Sequence, residues 1–161
     1  MIIVSNTTPL IGLAMVQHFD LLNDLFGEIY IAEAVYTELT QSQAQTSFGK
    51  KEVIQASWIK RCEINDRFSV DVLLDELDLG EAETIVLAHE LKADWVLMDE
   101  RKGRRKLTQL GFAKIGTGGL LLKAKQAGFI AELKPNLERL RREGFSISQT
   151  VIDALLAEAK E

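Results

Sequence analysis

The chain has 161 residues, 47% of them hydrophobic, and a formal net charge of −5. That is enough apolar material for one domain, residues 1–161, with a full core, and too much for a disordered chain. The acidic balance argues against a surface coated for nonspecific nucleic-acid binding, and a single cysteine, Cys62, excludes an intramolecular disulfide and makes a reducing compartment the simplest setting.

The N-terminus has no basic residues ahead of its apolar stretch, and Asn6, Thr7, Thr8 and Pro9 interrupt that stretch, so an export signal is not expected. No apolar run reaches bilayer-spanning length. The expectation is a cytoplasmic protein.

In chain order, Ile2 to Ser5 reads as a strand buried on both faces, and Pro9 suits the first turn of the helix that follows. Phe19 to Phe26 reads as a short helix ended by Gly27, and Glu28 to Ile31 as a short strand. Ala32 to Thr40 reads as a helix with Val35 and Leu39 on one face. Gln41 to Lys50 is polar and without period, as in a loop or flap. Trp58 to Ile64 alternates as an edge strand does, and Val70 to Leu77 reads as a short helix.

Leu79-Gly80 opens a helix whose apolar stripe is Ala82, Ile85, Val86 and His89. Ala93 to Met98 is the second convincing buried strand and stops on Asp99-Glu100. A basic helix, RKGRRKLTQLG, comes next, then a short strand from Ala113 to Ile115, then Gly116-Thr117-Gly118-Gly119 and a further helix. Leu133 to Glu143 and Ser146 to Lys160 are amphipathic helices, expected from about residue 133 to pack on the domain or on a partner.

Strands alternating with helices predict an α/β fold with a central, mostly parallel sheet. Ligands of such folds bind beyond the carboxyl ends of the strands. That rule selects Asn6, after the first strand, and Asp99, after the central one. Glu38, late in a helix that follows a strand, and Glu83, in the first turn of the helix leading to the Asp99 strand, are candidates to join them. Carboxylates converging on one sheet edge suit a hard cation such as Mg²⁺ or Mn²⁺, whereas the His and Cys spacing for zinc is missing. Such an ion stabilises in-line displacement at phosphorus. Arg101, Lys102, Arg104, Arg105 and Lys106 begin just after Asp99-Glu100 and would hold a phosphate backbone beside it.

The stretches VSNTTPLIGLA, AVYTEL, LGEAETIVLAHEL, ADWVLMDERKGRRKLTQLG and IGTGGLLLKAKQAG together resemble a PIN-like family of small prokaryotic proteins related to VapC-type toxin ribonucleases. The resemblance covers most of the chain, and the block from GEAE to MDERKGRR is its most specific part. It implies a Rossmann-like sheet with helices on both sides, and three or four acidic residues gathered around one or two divalent ions to cut single-stranded RNA. It places Asn6 where the first Asp of the family usually stands. Glu38, Glu83 and Asp99 fall at the other acidic positions, with Glu81 and Glu100 as near alternates. It further implies a homodimer and, for a toxin, an antitoxin protein laid across the acidic cleft.

Plainer roles stand beside these. Asn6, Thr7 or Thr8 would cap the first helix, and an amide at position 6 can coordinate a cation but brings no charge. Glu83 would favour the positive end of its helix, Glu38 would face solvent, and Asp99 would cap the basic helix. The basic run would be a solvated face, His89 a core residue, and Cys62 a small buried hydrophobe. Thr117, with Gly118 and Gly119, would present backbone N–H groups to a phosphate. Three functions follow from these alternatives: a metal-dependent ribonuclease, a PIN-like module that binds RNA or protein without cutting, and a receiver-like domain phosphorylated on Asp99. The third lacks the acidic pair after its first strand.

Overall fold

The computed structural model describes residues 1–41 and 48–161. The polar loop expected over Gln41 to Lys50 therefore falls mostly outside the described residues. Among those described, β1 (Ile3–Ser5) leads into α1 (Thr7–Met15) and α2 (Leu21–Phe26), and β2 (Ile29–Ala32) into α3 (Glu33–Thr40) and α4 (Lys50–Gln55). Then come β3 (Ile59–Cys62), α5 (Arg67–Leu73), α6 (Leu79–Leu91), β4 (Trp95–Leu97) and α7 (Arg101–Gln109). The chain closes with β5 (Lys114–Ile115), α8 (Thr117–Gln126), α9 (Lys134–Arg142) and α10 (Gln149–Glu158).

Most of these elements follow the sequence periodicity, but His89, expected in the core on the apolar stripe of α6, is exposed, and two helices differ in extent or in signal. Helix α4 lies in a stretch that carries no apolar period, and Glu52 Oε2 accepts the Gly49 amide at 3.1 Å to start it. Helix α5 begins three residues earlier than the Val70 start read from apolar spacing. Its first turn is set by Asp66, whose side chain accepts the Ser69 amide at 3.1 Å, a capping signal stronger than the stripe that follows.

The five strands form one all-parallel sheet in the order β3-β2-β1-β4-β5. Side chains alternate between its faces as the period of two requires. Ile3, Ile29, Ile31 and Leu97 join a core with α1, α2, α8, α9 and α10, whereas Val4, Val96 and Met98 join another with α5, α6 and α7. Helices therefore cover both faces, which is why β1 and β4 at the centre are largely buried on both sides, whereas the edge strand β3 leaves Lys60 and Arg61 exposed. This is a Rossmann-like α/β fold. Among the described residues, no helix is long and apolar enough to cross a membrane.

The C-terminal helices pack on the sheet's helical layer. Leu133, Leu137, Leu140 and Ile152 are buried in the same core as Leu13 and Leu120. Glu161 ties them down: its carboxylate accepts from Lys125 Nζ at 2.6 Å, from the Leu133 amide at 2.7 Å and from the Lys134 amide at 3.1 Å. These donors, Lys125 first, pull its carboxyl from the usual 4.5 down to about 2. A depressed carboxyl stabilises the fold above its unfolded value and loses that contribution as pH falls through the folded one. Glu161→Gln is therefore expected to lower the melting temperature at pH 7, with the gap to the wild type closing as the pH approaches 2. Thermal melts of both proteins across that range check it.

Strand order runs outward from β1 to β3 on one side and resumes with β4 and β5 on the other. The crevice between the carboxyl ends of β1 and β4 is thus the topological switch point, where open α/β sheets bind their ligands.

Candidate acidic site and adjoining groove

Ser5 pairs with Leu97 in the β1–β4 register, so the residues that follow, Asn6 and Met98, face each other where the strands part. The Asn6 amide N–H donates to Leu97 O at 3.0 Å, and Asn6 Nδ2 lies 3.3 Å from Met98 Sδ. Asn6 occupies the N-cap position of α1 without making a side-chain cap, and it is 3% exposed. The capping role open to it in the sequence is therefore not the one it plays.

The two threonines that follow hold acidic side chains instead. Thr7 Oγ1 donates to Glu38 Oε2 at 2.6 Å, and Thr8 Oγ1 donates to Glu100 Oε1. Thr7 and Thr8 are consecutive residues in the first turn of α1, so the two carboxylates sit beside the positive end of that helix. Asp99 is held separately, accepting the Thr117 amide on Oδ1 at 2.8 Å and the Thr117 hydroxyl on Oδ2 at 2.7 Å. Asp78 and Glu81 form a reciprocal box at the start of α6: Asp78 Oδ1 accepts the Glu81 amide and Glu81 Oε1 accepts the Asp78 amide.

These carboxylates share one electrostatic neighbourhood. Glu38 is exposed as a residue, but its carboxyl end lies against Thr7 and Gly80, and a methyl group on Gly80 would stand 2.5 Å from its Oε1. That desolvation raises the Glu38 carboxyl above the glutamate range; the Thr7 hydroxyl opposes the rise, and the charges of Asp78 and Glu100 add to it. Burial likewise raises Glu81, where the Asp78 amide opposes and the charges of Asp78 and Glu100 contribute. Burial raises Asp99 as well, against its two bonds from Thr117, with Glu100 adding and Arg104 subtracting.

Glu83 stands apart. Its Oε1 accepts the Ala34 amide at 3.0 Å and its Oε2 pairs with Arg67 at 2.8 Å. Helices α3 and α6 run past each other so that Gly80 meets Glu38 while Glu83 meets the start of α3, four residues or roughly 6 Å of helix rise away. Glu83 is thus engaged in closing the N-terminus of α3. Replacing it by Gln removes the charge that holds both partners, and Glu83→Gln is expected to destabilise the fold by about 1–3 kcal/mol, read from denaturant unfolding. Unfolding unchanged from the wild type in Glu83→Gln would instead return Glu83 to the acidic site.

The basic run divides around its helix. Arg104 Nη1 donates to Met98 O at 2.7 Å, and Lys106 pairs with Glu76 at 3.3 Å on the other side. Lys102 and Arg105 are exposed. Arg101, Arg104 and Lys114 line a groove of about 600 Å³ that begins at Thr8, Asp99 and Glu100. Thr117, read from sequence as a phosphate contact, is fully buried with its amide and hydroxyl given to Asp99. Thr7 and Thr8 were expected from sequence only as caps, not as holders of Glu38 and Glu100, and Asp78 and Lys114 carried no site signal at all. The only cue to the threonines was their place directly after a strand end.

Carboxylates whose proton affinity is raised by burial first and by neighbouring acidic charges second match the donor chemistry of a hard divalent cation, whose charge would offset both. Among the described residues, no three acidic, His or Cys side chains close around a common point as they stand, each being held by a hydroxyl or amide. The donors fit in kind. Glu38 and Glu100, on neighbouring threonines, are the pair that would hold such an ion.

The model of the DUF3368 family, described as a PIN domain, matches residues 2–161. No curated protein matches the chain.

Proposed function

Since the chain belongs to the PIN domain family, we propose that it is a nuclease that cuts single-stranded RNA with the help of Mg²⁺ or Mn²⁺. The observation that carries this reading is the pairing of Thr7 with Glu38 and Thr8 with Glu100 at the switch point, next to a groove lined by cations. When bound, a divalent cation supplies charge neutralisation at the scissile phosphate. Glu38 and Glu100 would hold it, with Glu81 and Asp99 in the same field.

The chain's own groups do the rest. Thr7 and Thr8 hold two carboxylates against the start of α1, which limits how far they must move to meet an ion. Thr117 fixes Asp99. Arg101, Arg104 and Lys114 bind the strand through its phosphates, which makes binding salt-sensitive. Asn6 carries an amide where a charge would strengthen ion binding, and this one feature favours a module that binds RNA without cutting. A homodimer and a protein that covers the acidic site are expected of the toxin form of this reading.

The test is cleavage of a fluorescent single-stranded RNA in Mn²⁺ and in EDTA, with Asp99→Asn purified identically. Cleavage that needs the metal and disappears in the variant supports a nuclease. Equal inactivity of both proteins, unrelieved by Asn6→Asp, overturns it in favour of the binding module.

A further inference from the structure

The groove that starts at Asp99 and Glu100 has two walls of different chemistry. Arg101, Arg104 and Lys114 form one. Phe145, Ile147, Val151 and Leu155, from the α9–α10 connection and α10, form the other. Leu155 has a packing reason to be there, since it lies against Gly118, and Ile152 one residue along from Val151 is buried in the core. Val151 has none: it is 47% exposed in the first turn of α10, on the groove side of the helix.

A bare polyanion would use the cationic wall and leave the apolar one in water. An apolar ligand would leave the cationic wall unmatched. A nucleotide carries both chemistries, a phosphate and a flat apolar base held apart by a sugar, and about 600 Å³ lies within the roughly 300–1,000 Å³ of small-ligand pockets. From the two walls we infer that the groove takes one unstacked nucleotide of a single strand, its phosphate against Arg101, Arg104 and Lys114 and its base against Phe145, Ile147 and Val151. The inference rests on the nuclease reading, because Asp99 and Glu100 close the same groove, but it adds a base-contacting wall that the acidic site does not require. A duplex is disfavoured, since its bases are stacked and cannot turn onto the wall.

The test is anisotropy of a fluorescent pentauridylate, and of the same backbone with abasic residues throughout, on the full chain in EDTA. Intact RNA is expected to bind about 5- to 150-fold more tightly than the abasic strand, the range that stacking on a protein surface supplies. In Val151→Asp that ratio is expected to fall towards one. Both strands carry the same phosphates, so repulsion by the new carboxylate cancels in the ratio. An acidic residue in a helix's first turn is compatible with folding. Equal binding of the two strands by the wild type, or an unchanged ratio in Val151→Asp, overturns the inference. The two readings fail separately. Base-dependent binding without cleavage in Mn²⁺ removes the nuclease and keeps the groove, whereas metal-dependent cleavage with equal binding of both strands removes the groove and keeps the nuclease.

Discussion

Asp99→Asn is expected to reduce metal-dependent RNA cleavage at least about 100-fold, since even partners one shell removed from a metal cost 10–100-fold when lost, while the fold survives. The structure explains why the two effects separate. Asp99 accepts the Thr117 amide at 2.8 Å and the Thr117 hydroxyl at 2.7 Å. Asparagine keeps one oxygen for the amide, and the hydroxyl can turn to accept from the new Nδ2, because a threonine both donates and accepts. The contacts therefore persist in number while the charge is gone. Coincident melting curves with collapsed cleavage rates would place Asp99 in the chemistry. Unchanged rates would leave it as the anchor between β4 and α8.

Gly80→Ala is expected to slow cleavage about 10–100-fold without loss of stability. In a helix interior alanine is worth about 0.5–1 kcal/mol more than glycine, and Gly80, in the first turn of α6, stands to gain part of that. The added methyl would stand 2.5 Å from Glu38 Oε1, closer than atoms can settle, and a tight 3.2 Å from its Cδ. The flexible Glu38 side chain yields first, and in yielding it leaves Thr7, to which it is bonded at 2.6 Å. The effect is thus confined to one carboxylate. A variant that melts at or above the wild-type temperature but cleaves slowly would show that the Thr7–Glu38 contact matters for rate. Full activity would mean that Glu38 serves no catalytic purpose.

Gly116 backs onto Asp99 in the same manner, with a methyl group there 2.7 Å from Oδ1. Two of the site's acids are therefore approached by backbone that carries no side chain. In sequence these glycines read only as helix openings, because what they make room for lies on other elements.

The sheet was legible because burial on both faces writes itself as short apolar runs. Ile2 to Ser5 and Ala93 to Met98 announce β1 and β4, and the abrupt polar stops at Asn6 and Asp99 mark the strand ends at the switch point. Helix α6 was legible from its Leu79-Gly80 opening, although Gly80 to Ala88 are buried all round and no single stripe faces the core. Helix α4 was not, since its one fully packed side chain, Val53, carries no period. Among the candidate acids, Glu81 and Glu83 could not be told apart by composition. They lie two residues apart on one helix and so point to different neighbours.

What the sequence determined by itself is the class of the fold, the strand ends that meet at one edge, and the types of side chain gathered there. These are local matters: period, turn chemistry and residue type each act over a few positions. Which acid faces which partner was decided by the tertiary structure alone. Thr7 reaches Glu38 across 31 residues and Thr8 reaches Glu100 across 92, while Glu83 is drawn away to Ala34 and Arg67. Such pairings depend on the order of strands in the sheet and the pitch at which α3 crosses α6, and neither leaves a trace in the spacing of residues along the chain.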